Sequence, residues 1–288
     1  MAAFDELLAS FALSQPTARA LLATLCLSLA GTPIGVFLTL RRMSLAGDAM
    51  SHAILPGVAI AFLAVGQSPI AMAIGGAAAG IVVALASSFV SRRTPIREDA
   101  SLAAVYLISL ALGVALVSLR GTSLDLDHIL FGDAFAIAPE SLALIVGIAA
   151  VTLLALPLLF RALVIESADP LFFRSVSRRG PAVQAAFLVL MVVNLVAGYQ
   201  ALGTLLAIGL MVLPAAIARL WTDRIRTLML LAPAIGMAAS LVGLLTADRL
   251  GLEPGPAVIL AAGIVYAASL LATRLTARTG VRRAPAMR

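Results

Sequence analysis

Lysine is absent from this chain; its 20 basic residues are all arginine. The phosphate-gripping loop of P-loop ATPases needs a lysine against the β- and γ-phosphates. That loop is therefore excluded here, and lysine Schiff-base or general-base chemistry goes with it. A single cysteine, Cys26, allows neither an internal disulfide nor a multi-cysteine metal cluster. Charged residues make up only 12% of the chain, about half the share of a soluble domain. Histidine occurs twice, and no His-Glu-x-x-His zinc-protease helix is present.

What remains is apolar. The 288 residues are 62% hydrophobic, and the mean hydropathy is +1.09. A bilayer core needs roughly 20 apolar residues per helical crossing, and the chain offers such runs repeatedly. They fall at 18–40, 45–65, 70–90, 102–119, 142–159, 183–197, 203–217, 228–245 and 257–271. The expected fold is an all-α polytopic transmembrane bundle of eight to nine segments, forming a single domain over 1–288. An N-terminal tail (1–17) and a basic C-terminal tail (274–288) flank it. The runs at 183–197 and 203–217 are short, and as pieces of one broken segment they reduce the number to eight. Gly31-Thr32-Pro33 is expected to interrupt the first run, a break tolerated in membranes only where protein or water re-satisfies the backbone.

Charge orients the segments. In the nine-segment arrangement every arginine except Arg19, Arg120 and Arg249 falls on one side. The positive-inside rule makes that side cytoplasmic, with the N-terminus outside and the C-terminus inside. The basic residues thus set topology, and no nucleic-acid partner is implied. Asp5 and Glu6 precede the first run without a basic stretch, so that run reads as a retained segment and not a cleaved signal. Asp125, Asp127, Asp133 and Glu140 are among the outer acids. They form either a cation-attracting mouth or ordinary solvated loops.

The one ionisable pair inside a segment is Asp48 and His52, four residues apart and so on one face of a helix. Such residues in membranes usually face a bundle interior or an ion path. A carboxylate with an imidazole suits Zn²⁺, or Mn²⁺ within a more oxygen-rich shell. The competing reading is an Asp–His hydrogen bond that locks the helix. Asp125, Asp127, His128 and Asp133 on the outer side form either an entrance site for a cation or the wet face of a short amphipathic helix. Glu98 and Asp99 start the fourth segment, where acids complement the helix dipole. Pro214, Arg219, Asp223, Arg224 and Arg226 lie where an apolar run becomes a short basic amphipathic helix, able to dock a soluble partner or rest on anionic lipid.

Four ordered stretches resemble the permease subunit of bacterial zinc/manganese-type ABC importers. They are Arg41-Arg42-Met43-Ser44-Leu45-Ala46-Gly47-Asp48-Ala49-Met50-Ser51-His52-Ala53-Ile54-Leu55-Pro56-Gly57 and Ile96-Arg97-Glu98-Asp99-Ala100-Ser101, then Asp125-Leu126-Asp127-His128-Ile129-Leu130-Phe131-Gly132 and the stretch from Gly203 through Pro214-Ala215-Ala216 to Arg219. The last also resembles the coupling region of siderophore/cobalamin importer permeases. The resemblance implies a homodimeric, multi-pass permease of the bacterial inner membrane. It further implies a separate cytoplasmic ABC ATPase and an extracytoplasmic metal-binding protein. The permease itself is then no enzyme and holds no permanent cofactor, and Zn²⁺ or Mn²⁺ is its cargo. By the same resemblance Asp48 and His52 contact the metal on the translocation path, and 214–226 is the surface that feels the ATPase.

Two departures stand out. Asp133 replaces the asparagine frequent after Phe-Gly, and the stretch around Asp169-Pro170 lacks the family's acidic end, so Asp169 inherits no role. His128 and the Arg41-Arg42-Met43 start lean the reading to zinc, with manganese or iron on the same architecture as the alternative. A proton-coupled secondary carrier using Asp48 and His52 as a relay is the reading from another class.

Overall fold

The computed structural model describes residues 15–66, 68–120, 135, 137–177 and 179–278. Eleven α-helices occur among them: α1 (Gln15–Leu40), α2 (Ala46–Ala53), α3 (Leu55–Val65), α4 (Pro69–Arg93), α5 (Glu98–Arg120), α6 (Pro139–Ala168), α7 (Pro170–Val176), α8 (Gly180–Leu202), α9 (Thr204–Trp221), α10 (Ile225–Leu250) and α11 (Pro254–Arg278). Nine spans among the described residues are long and apolar enough to cross a membrane, with α2 and α3 together making the second. The chain is therefore an all-α, multi-pass membrane protein. The runs at 183–197 and 203–217 are separate helices, α8 and α9, parted at Gly203 with φ 81°. Only glycine adopts that backbone readily.

The helices begin and end for local reasons. Ser68 caps α4, its side chain accepting from the Ala71 N–H, and Pro69 stands at the first position, where its missing N–H costs nothing. α5 opens on Glu98 and Asp99. The second span breaks at Ile54 because Pro56 offers no N–H to continue the ladder. The first span does not break. α1 runs straight through Gly31-Thr32-Pro33, contrary to the sequence expectation. Residues 30–38 of α1 are buried by protein, and Thr32 Oγ1 donates back to the Ser28 carbonyl at 2.6 Å, so packing holds this stretch helical despite Pro33.

α1 is the hub, packing on α6, α8, α9 and α10. Ile34, Phe37 and Leu38 of α1, Phe187 and Met191 of α8, and Leu206 and Leu210 of α9 are fully buried. Phe37 meets Phe160 and Phe187 edge-to-face, at 6.2 and 6.1 Å between ring centroids. Some helix contacts are so close that only glycine fits. A Cβ on Gly57 of α3 would stand 1.9 Å from the Gly75 carbonyl of α4, and one on Gly35 of α1 would stand 1.7 Å from the Met211 carbonyl of α9. Outward-facing Ile74, Ile108, Leu154, Leu158, Leu230 and Ile264 are exposed, as expected where the solvent is hydrocarbon.

Candidate functional site

The Asp48/His52 pair occupies α2, the eight-residue first part of the second span. Before it, Arg42 takes a left-handed conformation with φ 59°. After it, the helix is interrupted at Ile54. α2 packs against α5, α8, α4 and α9 through its apolar side: Ala46, Gly47, Ala49, Met50 and Ala53 are buried. Asp48 is exposed and His52 half-buried. Among the described residues, neither side chain makes a hydrogen bond or ion pair, so no Asp48–His52 lock is formed.

Asp48 lines a cavity of about 680 Å³ together with Thr39, Arg42, Ser44, Asp99 and Tyr106. Its other polar groups are mostly oxygens, contributed by α1, the 41–45 turn and α5. His52, one turn along α2, is outside that lining. No group of three or more His, Cys, Asp or Glu close enough to hold a metal occurs among the described residues. One chain thus offers two donors on one helix face, which is too few to trap a transition metal.

A second polar centre escaped the sequence reading. Arg41 Nη2 lies 3.1 Å from Glu166 Oε2, both side chains about nine-tenths buried. Arg41 Nε donates to Ser167 Oγ at 3.3 Å, and its guanidinium stacks 4.8 Å from the Phe187 ring centroid. Arg92 stands 3.8 Å from the other Glu166 oxygen and donates to Gln184 Oε1. Gln184 Nε2 in turn donates to Glu98 Oε1 at 2.8 Å. This chain of contacts joins the ends of α1, α4, α5, α6 and α8. Glu98 therefore does more than begin a helix, whereas Asp99 is exposed and pairs with Arg97 at 3.5 Å. The sequence signal for Glu166 was an apolar run continuing through Ile165 around a lone acid. Arg161 ends the strictly apolar stretch, so the expected fifth run stops at 159 and leaves Glu166 outside it.

The residues expected to form the coupling surface are divided between a helix interior and the surface. Pro214 is buried inside α9, and no separate basic helix follows it. Instead α9 continues to Trp221, and a three-residue connection, 222–224, leads into α10. The reason is visible in the packing: Ala215 and Ala218 keep α9 seated against α10 through Leu228 and Ala232. Arg219 and Asp223 pair at 3.5 Å, and both are substantially exposed. Arg224 and Arg226 are exposed and line a cleft of about 780 Å³ that Arg161 and Phe160 of α6 also border. Asp169 caps α7, accepting from the Phe172 N–H at 2.9 Å. The outer residues Asp125, Asp127, His128 and Asp133 lie outside the described residues.

The comparisons with known proteins agree on the family. The manganese import system permease protein ScaB of Streptococcus parasanguinis is 32% identical, covering 86% of this chain and 87% of its own length. The manganese transport system membrane protein MntC of Halalkalibacterium halodurans is also 32% identical, over 92% of this chain and 88% of that one. Among solved structures, PsaBC from Streptococcus pneumoniae, in complex with Fab, superposes with a TM-score of 0.77 at 28% identity, covering 93% of this chain and 95% of that one. An inward-facing ABC transporter of metal-chelate type matches at TM-score 0.64 and 16% identity over 90% of this chain and 85% of that one, a likeness of fold alone. Residues 14–273 match the ABC 3 transport family, and the chain, with its nine candidate spans, is a membrane-embedded member of that family.

Proposed function

We propose that this chain is the permease subunit of an ATP-driven importer of divalent transition metal, with manganese as the cargo. The observation that carries the proposal is the placement of Asp48 and His52 on one face of α2, with no side-chain hydrogen bond or ion pair among the described residues, and with Asp48 open to a cavity that Asp99, Tyr106, Thr39, Ser44 and Arg42 also line. An ionisable pair inside a membrane span is costly, and among the described residues no ion pair offsets that cost. A passing cation would.

The lean to zinc is corrected. Relatives 32% identical over most of the chain are named for manganese. Asp99, Tyr106, Thr39 and Ser44 line the same cavity as Asp48, and oxygen groups of this kind suit Mn²⁺ better than the tetrahedral nitrogen and sulfur sets favoured by Zn²⁺. His128 lies outside the described residues and supports neither metal.

Two donors per chain make an incomplete site. A second copy of the chain, facing the first across the path, supplies the same two donors and completes a shell that holds the ion briefly. Metal enters from an extracytoplasmic binding protein, the acids at 125–133 forming the mouth. ATP is hydrolysed on a separate subunit docked against Arg219, Asp223, Arg224 and Arg226, with Arg161 at the edge of the same cleft. The arginine-rich side faces the cytoplasm of a bacterial inner membrane, placing the N-terminus outside and the C-terminus inside. The permease holds no resident cofactor; the metal is substrate.

The test is uptake of radiolabelled Mn²⁺, Zn²⁺ and Fe²⁺ by proteoliposomes containing the chain, with and without its ATPase and binding protein. Manganese uptake that needs ATP and both partners is the expected result. Uptake by this chain alone under a pH gradient would overturn the reading in favour of a secondary carrier.

A further inference from the structure

Each end of α2 is tied to a different helix by one side-chain hydroxyl. At the first end, Tyr199 of α8 donates its hydroxyl hydrogen to the Gly47 carbonyl at 2.9 Å. Gly47 is the residue immediately before Asp48. At the last, Ser109 of α5 donates to the Ala53 carbonyl at 2.8 Å, and Ala53 immediately follows His52. Tyr199 is only 4% exposed, so no water replaces its hydrogen bond. The two anchors therefore bracket the donor pair, from opposite ends and from separate helices.

A helix of eight residues is too short to hold its own orientation, since most helical stability comes from packing. The left-handed turn at Arg42 separates α2 from α1, whereas Ile54 is helical and leads into α3. The roll of α2 is thus set by what grips it and by α3. We propose that Tyr199 and Ser109 are positioning residues for the metal path: they fix the roll and tilt of α2 so that Asp48 and His52 are presented together. This rests on the reading of that pair as the metal contact.

Tyr199 also links the pair to the far side of the molecule. It lies one turn before the Gly203 bend, where the Gly203 N–H bonds to the Tyr199 carbonyl at 3.1 Å. Beyond the bend α9 extends 18 residues to Trp221, roughly 27 Å at the usual rise per residue. Ile208 of α9 packs beside Gly47, 3.4 Å from where a Cβ would stand. α9 therefore touches α2 beside the same carbonyl that Tyr199 holds. Re-aiming this anchor changes how the donors are presented without altering the donors themselves.

The experiment measures initial rates of Mn²⁺ uptake by the full permease–ATPase complex with its binding protein, across metal concentration. The variants are Tyr199→Phe, Ser109→Ala, Ser109→Thr, Asp48→Ala and His52→Ala. Removing one hydrogen bond is expected to raise the KM for Mn²⁺ about fivefold with kcat per assembled complex unchanged. Ser109→Thr, which keeps the hydroxyl, should restore the wild-type KM. A purely structural role would lower the amount of assembled complex and leave KM alone. Unchanged KM in both Tyr199→Phe and Ser109→Ala, with uptake lost in Asp48→Ala, would overturn the positioning role and spare the metal path. Unchanged uptake in Asp48→Ala and His52→Ala would instead overturn the path. If Tyr199→Phe fails to assemble, the contrast of Ser109→Ala with Ser109→Thr decides alone.

Discussion

Glu166 and Asp48 are both carboxylates inside candidate membrane spans, and the protein treats them in opposite ways. Glu166 is buried, gripped by Arg41 at 3.1 Å and flanked by Arg92 at 3.8 Å. Both arginines come from outside α6: Arg41 just after α1, and Arg92 from the end of α4. Asp48 is exposed on a short helix, faces a cavity and has no ion pair among the described residues. The first arrangement spends an acid on holding five helix ends together. The second leaves an acid unsatisfied where something can pass. A charged residue in a membrane span is thus not by itself a sign of transport; the presence or absence of an internal partner separates the two roles.

The largest effect should come from breaking the satisfied acid. Glu166→Ala strands Arg41, which is itself 8% exposed. Removing one partner of a buried pair costs about 3–5 kcal/mol, to be read as a large fall in thermal unfolding temperature of the purified permease. Asp48→Ala, by contrast, should leave the melting curve within about 0.5 kcal/mol of wild type while abolishing metal uptake. Equal destabilisation by the two substitutions would erase the distinction.

Next in size is Gly57→Ala, which forces a methyl group against the Gly75 carbonyl. Overpacking of this kind costs typically about 1–3 kcal/mol, and because α3 continues directly from α2, slower metal uptake should accompany the lower melting temperature. A smaller effect is expected from replacing both members of the buried pair, Arg41→Met with Glu166→Met. Such swaps are often neutral, so the double variant should melt well above Glu166→Ala and transport should survive. The smallest is Asp223→Asn at the exposed Arg219 contact: an (i, i+4) surface pair is worth about 0.3–0.5 kcal/mol, so thermal stability should barely move. Any change there should appear instead in metal-stimulated ATP hydrolysis by the assembled complex.

Much of the bundle was legible beforehand. Nine apolar runs became nine spans because a bilayer crossing demands a long uninterrupted run whatever the packing, and helix is the form in which a single segment satisfies its own backbone. The runs were drawn short at their ends, since helices such as α6 extend past the apolar stretch to include Arg161 and Glu166. Pro33 was misread as a break for a related reason: periodicity and proline position are local, whereas the burial that rescues α1 is supplied by α6, α8, α9 and α10. The same holds for 214–226, where contact with α10 kept α9 continuous and removed the separate helix.

By itself, then, the sequence determined the all-helical membrane class, the spans, the missing ATPase loop and the shared face of Asp48 and His52, because each follows from composition or from spacing along one helix. Only the tertiary structure decided that Glu166 is locked and Asp48 open, that Tyr199 and Ser109 grip the ends of α2, and that Arg161 joins Arg224 and Arg226 at one cleft. Those relations join residues far apart in the chain, and no period along the sequence encodes which helices will meet.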